Sequence, residues 1–345
     1  MFDEVIEKIL STVNEKEIFT ETYPKFSGEG YKAHKIDVKN FHRIEKKLSG
    51  RKIAFIDGGN AEIIGSANFS LNLIRVCCAI YQNNKKIKSK KFEILAFTKA
   101  IDENGEIHFK TAFFSMNGSL NLEEVSFSSL DRTLMHGVNR AEIINAANAI
   151  RRFAELKLAK HVADNRLSDF IALDGNLQCT LTNENAYLDE LYGSCEENDV
   201  VLGALGKTSS MFTDNGNLLS AVLSGMGSPG SWIYYPIADI ENCNHRAEIF
   251  FVKFHDKSKH VFRLEIFNVQ KNKAEEAISM LAANSTDPIF IGYPYGLVEA
   301  DRMARVSNNE RESLKTMLLV KLRSRNIERY LSAANAHEIL DRISF

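Results

Sequence analysis

The chain has 345 residues, of which 44% are hydrophobic and 26% charged, and its formal net charge is -2. These values are ordinary for a globular protein and exclude a disordered or fibrous chain. A near-neutral charge provides no overall attraction for nucleic acid, so such a partner would have to bind to local basic patches. The length fits one large α/β domain with appended elements.

The first fifty residues predict a polar, helical extension. Pro24 and the glycines at 28–30 interrupt it before a second amphipathic stretch at 38–48. Acidic residues among the apolar ones of residues 1–13 exclude a signal peptide, and no apolar run approaches the roughly 18 to 20 residues that cross a bilayer. The five cysteines form no CxxC pair, which excludes the usual zinc and disulfide patterns and favours a cytoplasmic protein.

Two short apolar runs end in the dipeptide Asp-Gly, at Asp57 and at Asp174. Between them the hydrophobic pattern predicts an antiparallel meander followed by a long helix. This order is typical of RNase H-like domains, so we predict an α/β fold with an RNase H-like core and a mixed central sheet. The predicted strands are 52–56, 71–81, 92–98, 107–114 and 170–173, with the helix at 130–162.

The remainder of the chain predicts more strands and then a helical C-terminal third. A capping box, Ser307 to Glu310, is a helix-start signal within that third. The predicted domains are a helical N-terminal extension at 1–50, a core at 51–310 and a C-terminal helical segment at 311–345. The predicted elements are strands at 200–202, 232–236, 248–254, 261–267 and 289–293, and a helix at 274–283.

Acidic residues at the ends of buried strands are candidates for a divalent-cation site. Phosphodiester hydrolysis needs charge neutralisation and an activated water, and carboxylates are the hard ligands that Mg²⁺ or Mn²⁺ prefer. Asp57 and Asp174 fit this role, and a third acid is expected from the helix, either Glu155 or its rival Glu142. The alternative is that Asp-Gly only marks a turn and that the glutamates are solvated helix residues.

Five segments taken in order resemble the NurA family of DNA nucleases. Taken singly they are weak signals, but the ordered set, with its tyrosine-to-acid spacing near the C-terminus, is fairly specific. The resemblance spans roughly residues 50 to 310. The segments are FIDGG (55–59), AEL (154–156), LDGNL (173–177), LGALGK (202–207) and YPYGLVEADRMA (293–304).

The resemblance implies an RNase H-like homodimer that uses Mn²⁺ or Mg²⁺ and degrades DNA ends together with the hexameric ATPase HerA. It implies Asp57, Glu155 and Asp174 as catalytic metal ligands and Tyr293 near the active site. It further implies that position 301 contributes to the metal centre. Many members carry histidine there, whereas this chain has Asp301, a harder ligand that suits Mg²⁺ or Mn²⁺. Alternatively, Asp301 is an acid in the first turn of a helix, and Tyr293 is a core aromatic residue.

Basic residues near these acids are candidates for DNA contact. Lys207 ends one family segment, and Arg302 and Arg305 begin a run at 302–329 that is rich in arginine and lysine. Phosphate contacts of this kind would make DNA affinity fall with salt. A solvated helix face explains such a run equally well.

We therefore interpret the chain as a metal-dependent DNA nuclease, acting as an exonuclease and a single-strand endonuclease on DNA ends in double-strand break repair. Two alternatives stay open, a non-catalytic adaptor for a DNA-translocating ring ATPase and an actin-like ATPase, since the segment from Asp57 to Asn60 also resembles a phosphate loop. A Walker motif at Gly206-Lys207 is excluded because Val201 stands where glycine is required.

Overall fold

The computed structural model describes residues 2–14, 21–47 and 49–322. The described residues also form three short 3-10 turns, at Val38–Asn40, Asn268–Lys273 and Pro288–Phe290. The α-helices are α1 (Phe2–Asn14), α2 (Asn145–Asp164), α3 (Glu184–Glu197), α4 (Leu219–Met226), α5 (Ala274–Ala283), α6 (Tyr295–Ala304) and α7 (Asn308–Leu322).

The strands include four long ones and many of two to seven residues. The long strands follow one another in the chain and form hairpins. The strands are β1 (Pro24–Lys25), β2 (Tyr31–Ala33), β3 (Phe41–Arg43), β4 (Lys52–Ser66), β5 (Phe69–Gln82), β6 (Lys85–Glu103), β7 (Glu106–Asn117), β8 (Val125–Ser128), β9 (Phe170–Asp174), β10 (Val201–Gly206), β11 (Phe212–Thr213), β12 (Trp232–Tyr234), β13 (Ala238–Ile240), β14 (Ala247–Lys253) and β15 (Phe262–Phe267).

The chain divides into two compact units that interleave along the sequence. The first unit holds Met1–Gly50, Asp174–Gln178 and Val201–Tyr295, and the second holds Arg51–Leu173, Cys179–Val200 and Gly296–Phe345. The domain boundaries predicted at residues 50 and 310 stay a prediction.

The second unit contains a mixed sheet in the order β9-β4-β5-β6-β7-β8. Strands β4 to β8 are antiparallel neighbours, whereas β9 runs parallel to β4 with Ile56 opposite Leu173. A register shift between Glu62 and Ile64 marks a bulge in the β4–β5 pair. A meander, a helix and a strand parallel to the first is the order predicted for an RNase H-like core, and the prediction is confirmed.

Helix α2 packs against β4 and β5 and also against α3. It is therefore covered on two sides, which explains why apolar residues surround most of its circumference instead of forming one stripe. Small residues such as Ala146, Ala149 and Ala154 let the helix approach the sheet closely, and Phe153 is fully buried beside them. Glu155 is among the buried residues of this packed helix, so the direction of its side chain is restricted.

The first unit contains five antiparallel strands in the order β3-β12-β14-β15-β10. Two small ribbons, β1 with β11 and β2 with β13, join its N-terminal segment to its later strands. Its core is aromatic and aliphatic, with Trp232, Tyr234 and Phe251 packed against α4 residues such as Leu223.

Several predicted elements differ from the structure. The predicted turn at Asp57 is wrong, because β4 continues to Ser66, and the predicted strand 289–293 is a 3-10 turn followed by loop. The helix predicted from residue 130 begins at Asn145. The N-terminal extension is helical in α1, but its later part forms β1 to β3, because each of these strands pairs with a strand far along the chain.

Other predictions are confirmed. Helix α5 has the predicted bounds. Helix α7 begins directly after Ser307, whose hydroxyl accepts the Glu310 N–H at 3.3 Å, which is the Ser half of a capping box. No helix of the described residues is long and apolar enough to cross a bilayer. Residues 323–345, which include the end of the predicted basic run and of the C-terminal segment, lie outside the described residues.

Candidate active site

Asp57 lies in the middle of β4 and is 4% exposed. Its Oδ1 accepts the N–H of Gly58 at 2.7 Å. Neither Gly58 nor Gly59 has a positive φ, so neither glycine is there to make a turn. The glycines are required instead by close approach of other groups to the strand.

The Glu155 carboxylate occupies the space beside Gly58. A Cβ placed on Gly58 would lie 2.6 Å from Glu155 Oε1 and 2.9 Å from its Cγ, closer than real Cβ atoms come to their neighbours. Glu155 is itself 4% exposed. The structure thus brings Glu155 to the backbone directly after Asp57, whereas its rival Glu142 is exposed and precedes α2.

Two arginines of α2 hold the Glu155 carboxylate in place. Arg151 donates to Glu155 Oε1 at 2.5 Å and to the Gly58 carbonyl oxygen at 3.1 Å. Arg152 lies 3.8 Å from Glu155 Oε2 and donates to the buried Glu184 at 2.8 Å. Neither arginine is among the predicted site residues, although both have the i,i+3 or i,i+4 spacing to Glu155 that lets helix side chains pair.

Asp301 lies in the second half of α6, so the prediction of an acid in the first turn of a helix is wrong. Its carboxylate is 37% exposed and lies 3.5 Å from Arg305. The end of α6 touches β4, because a Cβ on Gly59 would lie 2.4 Å from the Ala304 carbonyl oxygen. Asp301 is therefore on the helix that contacts the strand of Asp57.

A buried cluster fixes α6 to the sheet. The Glu299 carboxylate accepts the Tyr81 hydroxyl of β5 and the Lys86 ammonium of β6, the latter at 2.5 Å. Burial alone would raise the pKa of Glu299, but Lys86 and Tyr81 outweigh it, so this pKa is lowered. Glu299 is thus a fixed anchor for the helix that carries Asp301.

In the first unit, Asp174 and Lys207 lie together in a pocket. Asp174 Oδ2 is 2.8 Å from Lys207 Nζ. Gly175 has a φ of 105°, so this Asp-Gly pair does make the predicted turn. The pocket has a volume of about 780 Å³ and also contains Lys25, Tyr31 and Arg263.

A buried carboxylate, Glu265, underlies this pocket. It is fully buried and accepts the Leu177 N–H at 2.7 Å, with Arg263 at 2.5 Å and His245 at 3.1 Å. Burial raises the pKa of Glu265, but Arg263, His245 and the Leu177 N–H lower it more, to about 2. Neither Glu265 nor Arg263 is among the site residues predicted from the sequence.

Tyr293 is 1% exposed and packs between aromatic rings of the first unit. Its ring centroid lies 5.2 Å from those of Phe262 and Phe290. A packed core aromatic residue was the alternative left open for Tyr293, and this environment fits that alternative. A role near the reacting phosphate stays a prediction.

Within residues 2–14, 21–47 and 49–322, no group of three or more histidine, cysteine, aspartate or glutamate side chains is arranged to hold a metal ion. The candidate acids have cationic neighbours, Arg151 on Glu155 and Lys207 on Asp174. The cysteines are all free, and Cys77, Cys78 and Cys195 are buried.

Comparison with known proteins agrees with the sequence resemblance. Residues 201–306 match the model of the NurA domain. The structure is similar to the NurA nuclease from Sulfolobus solfataricus, with a TM-score of 0.52 and 16% identity over 94% of this chain and 97% of that chain. At this identity the similarity shows a common fold.

A weaker likeness is found to the catalytic domain of human Endonuclease V. Its TM-score is 0.38 and its identity 11%, over 81% of this chain and 93% of that chain. No curated protein matches the sequence. The family model and the fold together confirm the resemblance to NurA proteins.

Proposed function

Since residues 201–306 match the NurA domain, we propose that this chain is a metal-dependent DNA nuclease that hydrolyses phosphodiesters at DNA ends and in single strands. The observation that carries the proposal is the placement of the Glu155 carboxylate against Gly58, one residue from Asp57. Asp57 and Glu155 are each 4% exposed, and burying a carboxylate is costly, so a function has to justify both.

Asp57, Glu155 and Asp174 are the residues that would hold Mn²⁺ or Mg²⁺, with Asp301 in support. Their oxygen donors suit these hard cations. The absence of a side chain at Gly58 leaves the space that Glu155 needs. A bound cation would supply charge neutralisation and an activated water.

The basic residues have separate roles in this proposal. Arg151 orients Glu155 by binding both its carboxylate and the Gly58 carbonyl oxygen. Lys207, Arg302 and Arg305 are 42%, 74% and 76% exposed, so their cationic groups can reach DNA phosphates. Contacts to phosphate position the DNA without reading its sequence.

The test is a cleavage assay on the purified full chain with Mn²⁺ or Mg²⁺ and end-labelled single-stranded DNA. Asp57→Asn and Glu155→Gln should abolish cleavage while leaving DNA binding in EDTA unchanged. The matched control is Glu142→Gln, an exposed glutamate close before α2, which should cut like the parent chain. Normal cleavage by either of the first two variants would show that the acids do not carry the reaction.

Double-strand break repair, a homodimer and a HerA-type ATPase partner are parts of the proposal that rest on the family resemblance. Co-elution with a HerA-type hexamer and stimulation of cleavage by it would test the partnership. If the chain binds such a hexamer and never cuts, the adaptor alternative replaces the nuclease.

A further inference from the structure

The pocket beside Asp174 has a lining suited to a nucleotide. It lies wholly within the first unit, and its volume of about 780 Å³ is within the usual range for small-ligand sites of about 300 to 1,000 Å³. Cationic, aromatic and hydroxyl side chains line it together with glycine backbone. The lining includes Lys25, Phe26, Tyr31, Asp174, Asp214 and Arg263.

Arg263 is a preorganised cation in this pocket. One of its terminal nitrogens is 2.5 Å from the buried Glu265, which is held in turn by the Leu177 N–H and by His245. Its side chain is 19% exposed, so the guanidinium is fixed while part of it faces the pocket. A planar, fixed guanidinium is well suited to phosphate.

The same buried carboxylate also fixes an aromatic ring. His245, which pairs with Glu265, is bound through its Nδ1 to the Tyr31 hydroxyl at 2.9 Å. Tyr31 stacks on Phe26 with ring centroids 4.4 Å apart and planes 5° from parallel. Phe26 packs against the core of the first unit, and both rings line the pocket.

The arrangement therefore places a rigid aromatic ring and a rigid guanidinium in one concave site, both held by Glu265. Lys25, next to Phe26 in the chain, and Lys207, which pairs with Asp174, are two more cations of the lining. Its acids are Asp174 and Asp214. Proteins that bind single strands combine cations that follow the backbone with aromatic rings on which bases stack.

We infer that this pocket binds one unpaired nucleotide of a single-stranded DNA, with its base on Tyr31 and its phosphate on Arg263 and Lys25. The inference rests on the proposed function for its substrate class and adds a site that selects unpaired strands. A base within a duplex is stacked and paired, so it would first have to leave the helix to reach Tyr31.

The experiment measures binding by fluorescence anisotropy in EDTA, which prevents cleavage. The probes are a labelled oligothymidylate, an abasic strand of the same length and a duplex. The parent chain should bind oligothymidylate roughly 5- to 100-fold more tightly than the abasic strand, the range expected for stacking of one base. Tyr31→Leu should lose this preference by weakening only the oligothymidylate complex.

Three further variants separate stacking from charge and from folding. Tyr31→Phe keeps the ring and should keep the preference, whereas Arg263→Gln should weaken the oligothymidylate and abasic complexes alike. Tyr235→Leu is the matched control, because Tyr235 also stacks on a phenylalanine, Phe250, but does not line the pocket. Thermal melting of each variant shows whether it is folded.

The inference is overturned if folded Tyr31→Leu retains the full preference for oligothymidylate, or if the parent chain binds the duplex as tightly as the single strand. These outcomes are independent of cleavage. If the parent chain cuts DNA but Tyr31 has no effect on binding, the nuclease proposal stands and the pocket fails. If Tyr31-dependent binding is found without cleavage, the pocket stands and the nuclease proposal fails.

Discussion

The contact between Glu155 and β4 can be tested by adding one methyl group. In Gly58→Ala, the new Cβ would lie 2.6 Å from Glu155 Oε1 and 3.1 Å from Val76 Cγ1. Both neighbours are buried, so the substitution forces the Glu155 carboxylate away from β4 and out of the geometry held by Arg151.

The size of the effect follows from two opposing contributions. Overpacking of a buried site lowers the free energy of unfolding by about 1 to 3 kcal/mol. Replacing glycine by alanine raises it by about 0.4 to 1 kcal/mol, because alanine restricts the unfolded chain. We expect a net loss of up to about 2.5 kcal/mol in the free energy of unfolding. Urea denaturation measures this loss, and cleavage should fall together with it because Glu155 is displaced.

The matched control is Gly193→Ala in α3, where a Cβ would meet no atom within 4 Å. This variant should gain up to about 1 kcal/mol, as alanine does within a helix. In a Glu155→Ala background, Gly58→Ala should lose most of its cost, because its closest neighbour is gone. If Gly58→Ala is as stable and as active as Gly193→Ala, the Glu155 carboxylate does not lie as close to Gly58 as described.

Two further substitutions test the buried carboxylates. The pKa of Glu265 is about 2 in the folded chain, against 4.5 for a free carboxyl. The ionised carboxylate therefore stabilises the fold by about 3 kcal/mol above pH 4.5, and this stabilisation is lost as the pH falls toward 2. Glu265→Gln should lower the free energy of unfolding at neutral pH, and urea denaturation between pH 4.5 and 2 should show a smaller loss of stability than in the parent chain. An equal loss in the variant and the parent chain would contradict this prediction. Glu299→Gln should lower the free energy of unfolding by about 1 to 3 kcal/mol, and by much less when Tyr81→Phe and Lys86→Met are already present. An equal loss in both backgrounds would show that these contacts do not anchor α6.

The sequence predicted those parts of the fold that depend on local pattern. The run 170–173 and the helix at 274–283 are set by hydrophobic periodicity alone, and their bounds agree with β9 and α5 within one residue. The Ser307 capping box also depends only on residues within one turn.

The rest could not be predicted because it depends on distant partners. Asp57-Gly58-Gly59 has the composition of a turn, yet the glycines are required by Glu155 and Ala304, which are far away in sequence. Likewise, charged and apolar residues alternate around Arg263 and Glu265, a pattern typical of a strand with one exposed face. Only the fold shows that Glu265 is fully buried.

The bulge between Glu62 and Ile64 divides β4 into two stretches whose alternation of faces is independent. A residue inserted between Lys52 and Asp57 would turn the aspartate to the opposite side of the sheet, since neighbouring strand positions point in opposite directions. A residue inserted beyond the bulge leaves Asp57 where it is. The outer hairpin can therefore change its length during evolution without reorienting the acid.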